Sequence, residues 1–187
     1  MKRKILSILL TLAMTLTLLP ATAMAEDVKG VQCDGGDGCN HKVAAIYDGS
    51  AGENPGEYHY DTLQAAITNG TNDYYGNFKL LDDVQEDIVV GEGRIAGKYI
   101  TLDLNGHTIT NAKSDTITVQ KRGKLTITGS GTVDNVTDGR APIYNNGTCT
   151  LSGGNYTRSK EAADNTTTSY GGNSYYNILN HGEMTIG

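Results

Sequence analysis

The chain has 187 residues, with 24 Gly, 11 Tyr, one Phe and no Trp, and a formal charge of −6 at neutral pH. An acidic surface repels nucleic-acid phosphates and anionic lipid headgroups, which argues against both as partners and leaves calcium compatible. Frequent Gly, Thr, Asn and Tyr describe short strands broken by turns and argue against long helices.

Lys2, Arg3 and Lys4 open the chain, an uncharged apolar run follows from Ile5 to Leu19, and Pro20 precedes Ala23-Met24-Ala25. This is the pattern of a secretory signal peptide over 1–25; the run is shorter than the roughly 20 residues that span a bilayer. An uncleaved anchor is the alternative, but the small residues at the −3 and −1 positions favour cleavage after Ala25. Removing three cations then takes the formal charge from −6 to −9. The expected localisation is secreted or extracellular, with no membrane insertion after signal cleavage.

Residues 26–97 read as an N-terminal cap region. Cys33 and Cys39 bracket Asp-Gly-Gly-Asp-Gly, with His41 close behind. In an exported protein a small disulfide loop is the first reading; a metal site with His41 and His59, or free thiols, stay open. Asp34 and Asp37 lack the ordered ligand series of a calcium loop. Val43 to Ile46 reads as a strand, and Asp61 or Thr62 caps a short helix whose Leu63, Ala66 and Ile67 share one face. Phe78 to Leu81 and Ile88 to Val90 read as strands around the acidic turn of Asp82, Asp83, Glu86 and Asp87. Those carboxylates read as charge that keeps a sheet edge soluble rather than as an acid–base pair.

From 98 onward one pattern repeats: Val119 to Ile127, Ile143 to Leu151 and Ile178 to Ile186 each read apolar, three mostly polar residues, Gly, x, apolar, Thr, apolar. Ile100 to Gly106 is a partial fourth copy in which Leu102 and Leu104 take the places of Leu125 and Ile127. The markers Leu104, Ile127, Leu151 and Ile186 lie 23, 24 and 35 residues apart, the excess falling in a polar insertion at about 159–173. Alternating apolar residues mark half-buried strands. A repeat this short buries its apolar face only by stacking on its neighbours. The expected fold is an all-β, right-handed parallel β-helix with rungs of about 23–24 residues over 98–187 and a cap containing one short helix. An antiparallel sandwich has no reason to repeat one pattern with its glycines in register. The expected inward columns are Leu102, Leu125, Cys149 and Met184, then Leu104, Ile127, Leu151 and Ile186, with Thr126, Thr150 and Thr185 facing out. Cys149 reads as a packing thiol, and His107 and His181 as turn residues without a carboxylate at fixed spacing.

The succession His41 to Ile46, Tyr60 to Ile67, Lys79 to Val84 and Ile100 to Ile109 resembles the opening of a large group of bacterial extracellular right-handed β-helix proteins, similar in fold to the pectate lyase superfamily. The resemblance covers about 41–187. It implies a capped β-helix within a long, surface-displayed or secreted adhesin-like protein, in a superfamily that also holds polysaccharide lyases and hydrolases. Fold alone does not choose among these. The matching rungs expose Thr, Asn, Lys and Gly, and lack the clustered acidic calcium ligands and exposed Arg or Lys of the lyases.

Tyr is abundant where Phe and Trp are nearly absent, and aromatic rings stack on sugar faces. Tyr170, Tyr175 and Tyr176 on the insertion are the candidate glycan contacts. The functional expectation is a surface module for adhesion or carbohydrate interaction, with no catalytic residue, metal or cofactor assigned. Glycans, a host surface or the cell wall are the expected partners. The alternatives are a plain structural stalk and the front of a polysaccharide lyase or glycoside hydrolase whose catalytic rungs lie beyond 187. Because Gly187 falls in mid-unit, the remainder of a longer parent chain is expected to follow and to carry any cell-wall attachment.

Overall fold

The computed structural model describes residues 30–32, 39–50, 54–137, 139–159 and 176–187. Among the described residues fifteen strands follow one another: β1 (Val43–Tyr47), β2 (Gly56–Tyr60), β3 (Tyr75–Leu80), β4 (Val84–Gln85), β5 (Ile88–Val90), β6 (Tyr99–Asp103), β7 (Thr108–Thr110), β8 (Ile117–Val119), β9 (Lys124–Thr128), β10 (Thr132–Asp134), β11 (Ile143–Asn145), β12 (Thr148–Leu151), β13 (Asn155–Thr157), β14 (Ile178–Asn180) and β15 (Glu183–Ile186). Helix α1 (Leu63–Asn69) lies between β2 and β3, and a 3-10 turn (Gly93–Ile95) lies between β5 and β6.

The strands form three sheets: β15-β12-β9-β6-β3-β1-β2, β13-β10-β7-β4 and β14-β11-β8-β5. Within the winding part every pairing is parallel, so each turn of chain lays one strand on each sheet. The protein is a parallel β-solenoid closed at its N-terminal end by a helix and the antiparallel strands β1 and β2.

Parallel pairing already begins at β3 with β6, β4 with β7 and β5 with β8. The first rung therefore starts near Tyr75, inside the stretch that composition assigns to the cap. Corresponding inward residues Phe78, Leu102, Ile127, Leu151 and Ile186 stand 24, 25, 24 and 35 residues apart.

The same register corrects the expected columns. Ile100, not Leu102, stacks on Leu125, and Leu102 stacks on Ile127; above them run Cys149 and Met184, and Leu151 and Ile186. Leu104 lies past the strand end and is nevertheless fully buried. A Cβ added to Gly131 or to Gly154 would each meet a Leu104 side-chain atom at 2.7 Å. Leu104 thus fills a corner that two later rungs leave empty by having glycine there. Two apolar pairs, Ile100-x-Leu102 and Leu102-x-Leu104, fit the repeat pattern equally well, and only the corner packing separates them.

The interior is built from such ladders. Ile88, Ile117, Ile143 and Ile178 align on one sheet, and Val84, Ile109, Val133 and Tyr156 on another. Each fully buried Ile or Leu contributes about 1.5–3 kcal/mol by leaving water. Gly147 is required by close approach: an added Cβ would sit 2.4 Å from both the Gln120 and Gly123 carbonyl oxygens. Asn105 and Gly106, with φ of 48° and 86°, make the left-handed turn that ends β6.

Polar side chains bind one rung to the next. Asp83 accepts the Thr108 N–H at 2.8 Å, Asp115 the Ala141 N–H at 2.7 Å and Asp134 the Ser159 N–H at 2.9 Å. Buried Asn111 accepts from Val136 N–H at 2.7 Å. Asp87 accepts three successive N–H groups, from Ala112, Lys113 and Ser114. Glu86 accepts the N–H groups of Leu63 and Gln64 at 2.8 and 3.0 Å, pinning the start of α1 to the first rung. Asp82 accepts the N–H of Asp83 at 2.8 Å, so all four members of the acidic turn are backbone acceptors and not simply edge-solubilising charge.

Candidate functional site on the outer face of the large sheet

Period-2 alternation sends every second residue of the seven-stranded sheet outward. Because the strands are in register, these outward residues form columns. One column runs Tyr75, Tyr99, Lys124, Thr148 and Glu183, and the next runs Asn77, Thr101, Thr126, Thr150 and Thr185. Neighbouring members of a column are separated by the strand spacing of about 4.8 Å.

Tyr99 dominates this face: it is 62 % exposed although it sits in a central strand. The Lys124 ammonium lies 4.1 Å from its ring centroid, a cation–π contact that holds the ring in place and contributes about 0.5–1 kcal/mol at an exposed site. Beside it, the Tyr75 hydroxyl donates to Asp48 Oδ1 at 2.8 Å and also contacts the Ser50 hydroxyl. Hydrogen bonds from the Ser50 side chain, then its backbone, then Tyr75 hold the Asp48 carboxyl at about 2. Tyr74, 68 % exposed, extends the aromatic edge. The arrangement offers an aromatic platform next to a straight row of hydroxyl and amide groups.

The sequence-level candidates are placed differently. Tyr176 is exposed at the start of the segment leading to β14, while Tyr170 and Tyr175 lie outside the described residues, as does most of the 159–173 insertion. The Tyr excess points to aromatic recognition, but Tyr99 is overlooked because it directly precedes the apolar Ile100 and reads as part of a strand core. Its outward alternation with Thr101 and Asp103 is the signal that identifies it. Thr126 and Thr150 are half-buried and Thr185 exposed on the outer face, as their alternation requires. Cys149 is fully buried and free, and burial pushes its thiol up to about 12.

His107 does meet a carboxylate, Asp83 at 3.6 Å on the rung below, contrary to its reading as an isolated turn residue. His181 stacks edge-on against Tyr144 with ring centroids 5.7 Å apart.

A second cluster lies at the cap. Cys39 is disulfide-bonded, whereas Cys33 lies outside the described residues. The Cys39 sulfur is 2.9 Å from His59 Nδ1, and His59 Nε2 is 2.7 Å from Glu57 Oε1. His41 pairs with Asp61 at 2.6 Å, and its ring meets that of His59 edge-on at 6.2 Å. Among the described residues, no group of three or more His, Cys, Asp and Glu side chains is arranged to hold a metal ion.

Comparison with protein-family models, with curated proteins and with solved structures gives no match for this chain.

Proposed function

We propose that the chain is an exported surface module that binds carbohydrate on the outer face of the seven-stranded sheet, in the manner of a bacterial β-helix adhesin. The signal-like residues 1–25 support export. The observation that carries the binding reading is the exposed Tyr99 ring, held by Lys124 beside the in-register row of Thr101, Thr126 and Thr150. A sugar ring stacks its C–H face on an aromatic ring while its hydroxyls bond to neighbouring polar groups. A straight row of hydroxyls at strand spacing suits an extended polysaccharide better than a small enclosed ligand, because it offers the same contact again on each successive rung.

The test is binding of the purified protein to a panel of immobilised oligosaccharides and polysaccharides. Tyr99→Ala should weaken binding about tenfold, the worth of one aromatic stacking contact, whereas Tyr144→Ala on a different sheet should leave it unchanged. Absence of binding across the panel, or equal binding by Tyr99→Ala, overturns the proposal.

A further inference from the structure

We propose that the glycan taken up on this face is a polyanion bearing sulfate ester groups, and that two stacked corners of the coil beside Tyr99 bind those groups through Arg94, Lys121 and Arg122. The inference rests on the sugar-binding reading and names the class of sugar.

Residues 91–98 join β5 to β6, and residues 120–123 join β8 to β9. Because β5 pairs with β8 and β6 with β9, the two turns are the same corner on successive rungs. Their backbones are in contact: the Gln120 N–H donates to the Val90 carbonyl and the Gly97 N–H to the Arg122 carbonyl, both at 2.8 Å. Of the chain's 15 Lys and Arg residues, five lie in these corners or on the first residue of β9: Arg94, Lys98, Lys121, Arg122 and Lys124. Two exposed carboxylates accompany them, Glu92 and Asp73, the latter 3.9 Å from the Lys98 ammonium.

The corner is thus locally positive on a chain whose formal charge is −6. Charges farther off than about 8 Å are largely screened at physiological salt, so the corner attracts anions although the surface as a whole repels them. The cations divide their tasks. Lys98 is mostly covered and donates to the Asn72 carbonyl at 2.5 Å, and Lys124 holds the Tyr99 ring. Arg94, Lys121 and Arg122 are exposed. A guanidinium nitrogen of Arg122 lies 3.7 Å from where a Cβ on Gly97 would stand, so this cation reaches the rung below, two residues before Tyr99.

Like charges on neighbouring strands oppose folding, and the turn geometry does not call for them. The corner one rung further on, Asn146 and Gly147, makes the same backbone contact without any charge, the Asn146 N–H donating to the Val119 carbonyl at 2.7 Å. What the cations add is attraction for an anion. A sugar ring stacked on Tyr99 brings the substituents at its rim over this corner. A tetrahedral sulfate ester has three diverging outer oxygens, so cations from two rungs can share one group, whereas a carboxylate has two oxygens in one plane and suits a single guanidinium.

The experiment measures binding of the intact protein to immobilised dextran sulfate, to carboxymethyl dextran of matched charge and to uncharged dextran, each at graded salt. Dextran sulfate should bind most tightly, with an affinity that falls as salt rises. Lys121→Gln/Arg122→Gln should weaken that binding about tenfold, the worth of two exposed ion pairs, and flatten its salt dependence. Lys113→Gln/Arg140→Gln, which removes the same charge from exposed turns elsewhere on the coil, should leave it unchanged. Equal binding by the corner variant, or carboxymethyl dextran held as tightly as dextran sulfate, overturns the proposal. If Tyr99→Ala weakens binding and the corner variant does not, the sugar-binding reading stands and this inference falls. If only the corner variant weakens it, anions bind without stacking, and the sugar-binding reading falls together with the inference built on it.

Discussion

The side-chain amide of Gln64 pairs with the backbone of Val89 on both sides: its Oε1 accepts the Val89 N–H at 2.7 Å, and its Nε2 donates to the Val89 carbonyl at 3.2 Å. One helical side chain thereby does for the edge of β5 what another strand would do. A solenoid leaves such an edge open at its first rung unless something covers it. Gln64→Ala should cost about 1–3 kcal/mol, because it strands two backbone groups under α1. Hydrogen exchange of the Val89 amide should accelerate with it. An unchanged exchange rate would mean that the helix body, not this amide, protects the edge.

Asp87 provides the acid limit. Burial pushes its carboxyl up, but the N–H groups of Lys113, Ser114 and Ala112 more than offset this, leaving it below its ordinary value of 3.8. A carboxylate lowered on folding stabilises the protein above its unfolded pKa, and that stability is lost as the pH falls through the folded value. Denaturant unfolding should therefore show a loss of stability below about pH 4. Asp87→Asn should be less stable at neutral pH and lose less on acidification. A parallel decline in both proteins would rule out Asp87 as a contributor.

Cys149 and Tyr156 set the alkaline limit. Burial raises the Cys149 thiol from 9.0 to about 12, and burial followed by the charge of Cys149 raises Tyr156 as well. A group raised on folding contributes stability that is whole below its unfolded pKa and is lost as the pH rises toward the folded value. Between about pH 9 and 12 the thiol should cost roughly 1.4 kcal/mol per pH unit. Cys149→Ala should flatten this alkaline slope while lowering stability at neutral pH through the cavity it leaves. The native thiol should also resist alkylation until the protein unfolds, and rapid labelling of the folded protein would contradict its burial.

Inside and outside should respond differently on the same strand. Ile127 is fully buried, and Ile127→Ala should cost about 2–5 kcal/mol. Its neighbour Thr126 faces outward, and Thr126→Ala should change stability by no more than about 0.5 kcal/mol. Chemical denaturation of the two variants checks this, and comparable losses would place both side chains in the core.

The repeat was legible because stacking forces like residues into like positions: Leu125 over Cys149 and Ile127 over Leu151 follow from the Gly-x-apolar-Thr-apolar pattern alone. The starting point of the coil was less so. The first rung lacks that pattern, since Gly76 and Phe78 occupy the inward positions that Ile100 and Leu102 hold one rung on. The inter-rung carboxylates were hidden for a different reason: each meets backbone N–H groups, which any residue supplies, so no side-chain motif records the contact. The separation of 25 to 27 residues between each of these aspartates and the N–H groups that donate to it is their trace in the sequence. At the candidate site, the Thr column follows from alternation, whereas the neighbourhood of Tyr99 and Lys124, 25 positions apart, requires the register itself.

That register is tested most directly by cross-linking. Thr126 and Thr150 are Cα partners on adjacent strands, within the 4.4–6.8 Å range that a disulfide spans. The doubly substituted Thr126→Cys/Thr150→Cys protein should form this bond under mild oxidation, as read by peptide mapping. Thr126→Cys/Ser152→Cys, displaced by two residues and so about 8 Å apart, should not. Preferential cross-linking of the displaced pair, or of neither pair, would contradict the stacked solenoid on which the proposed binding face depends.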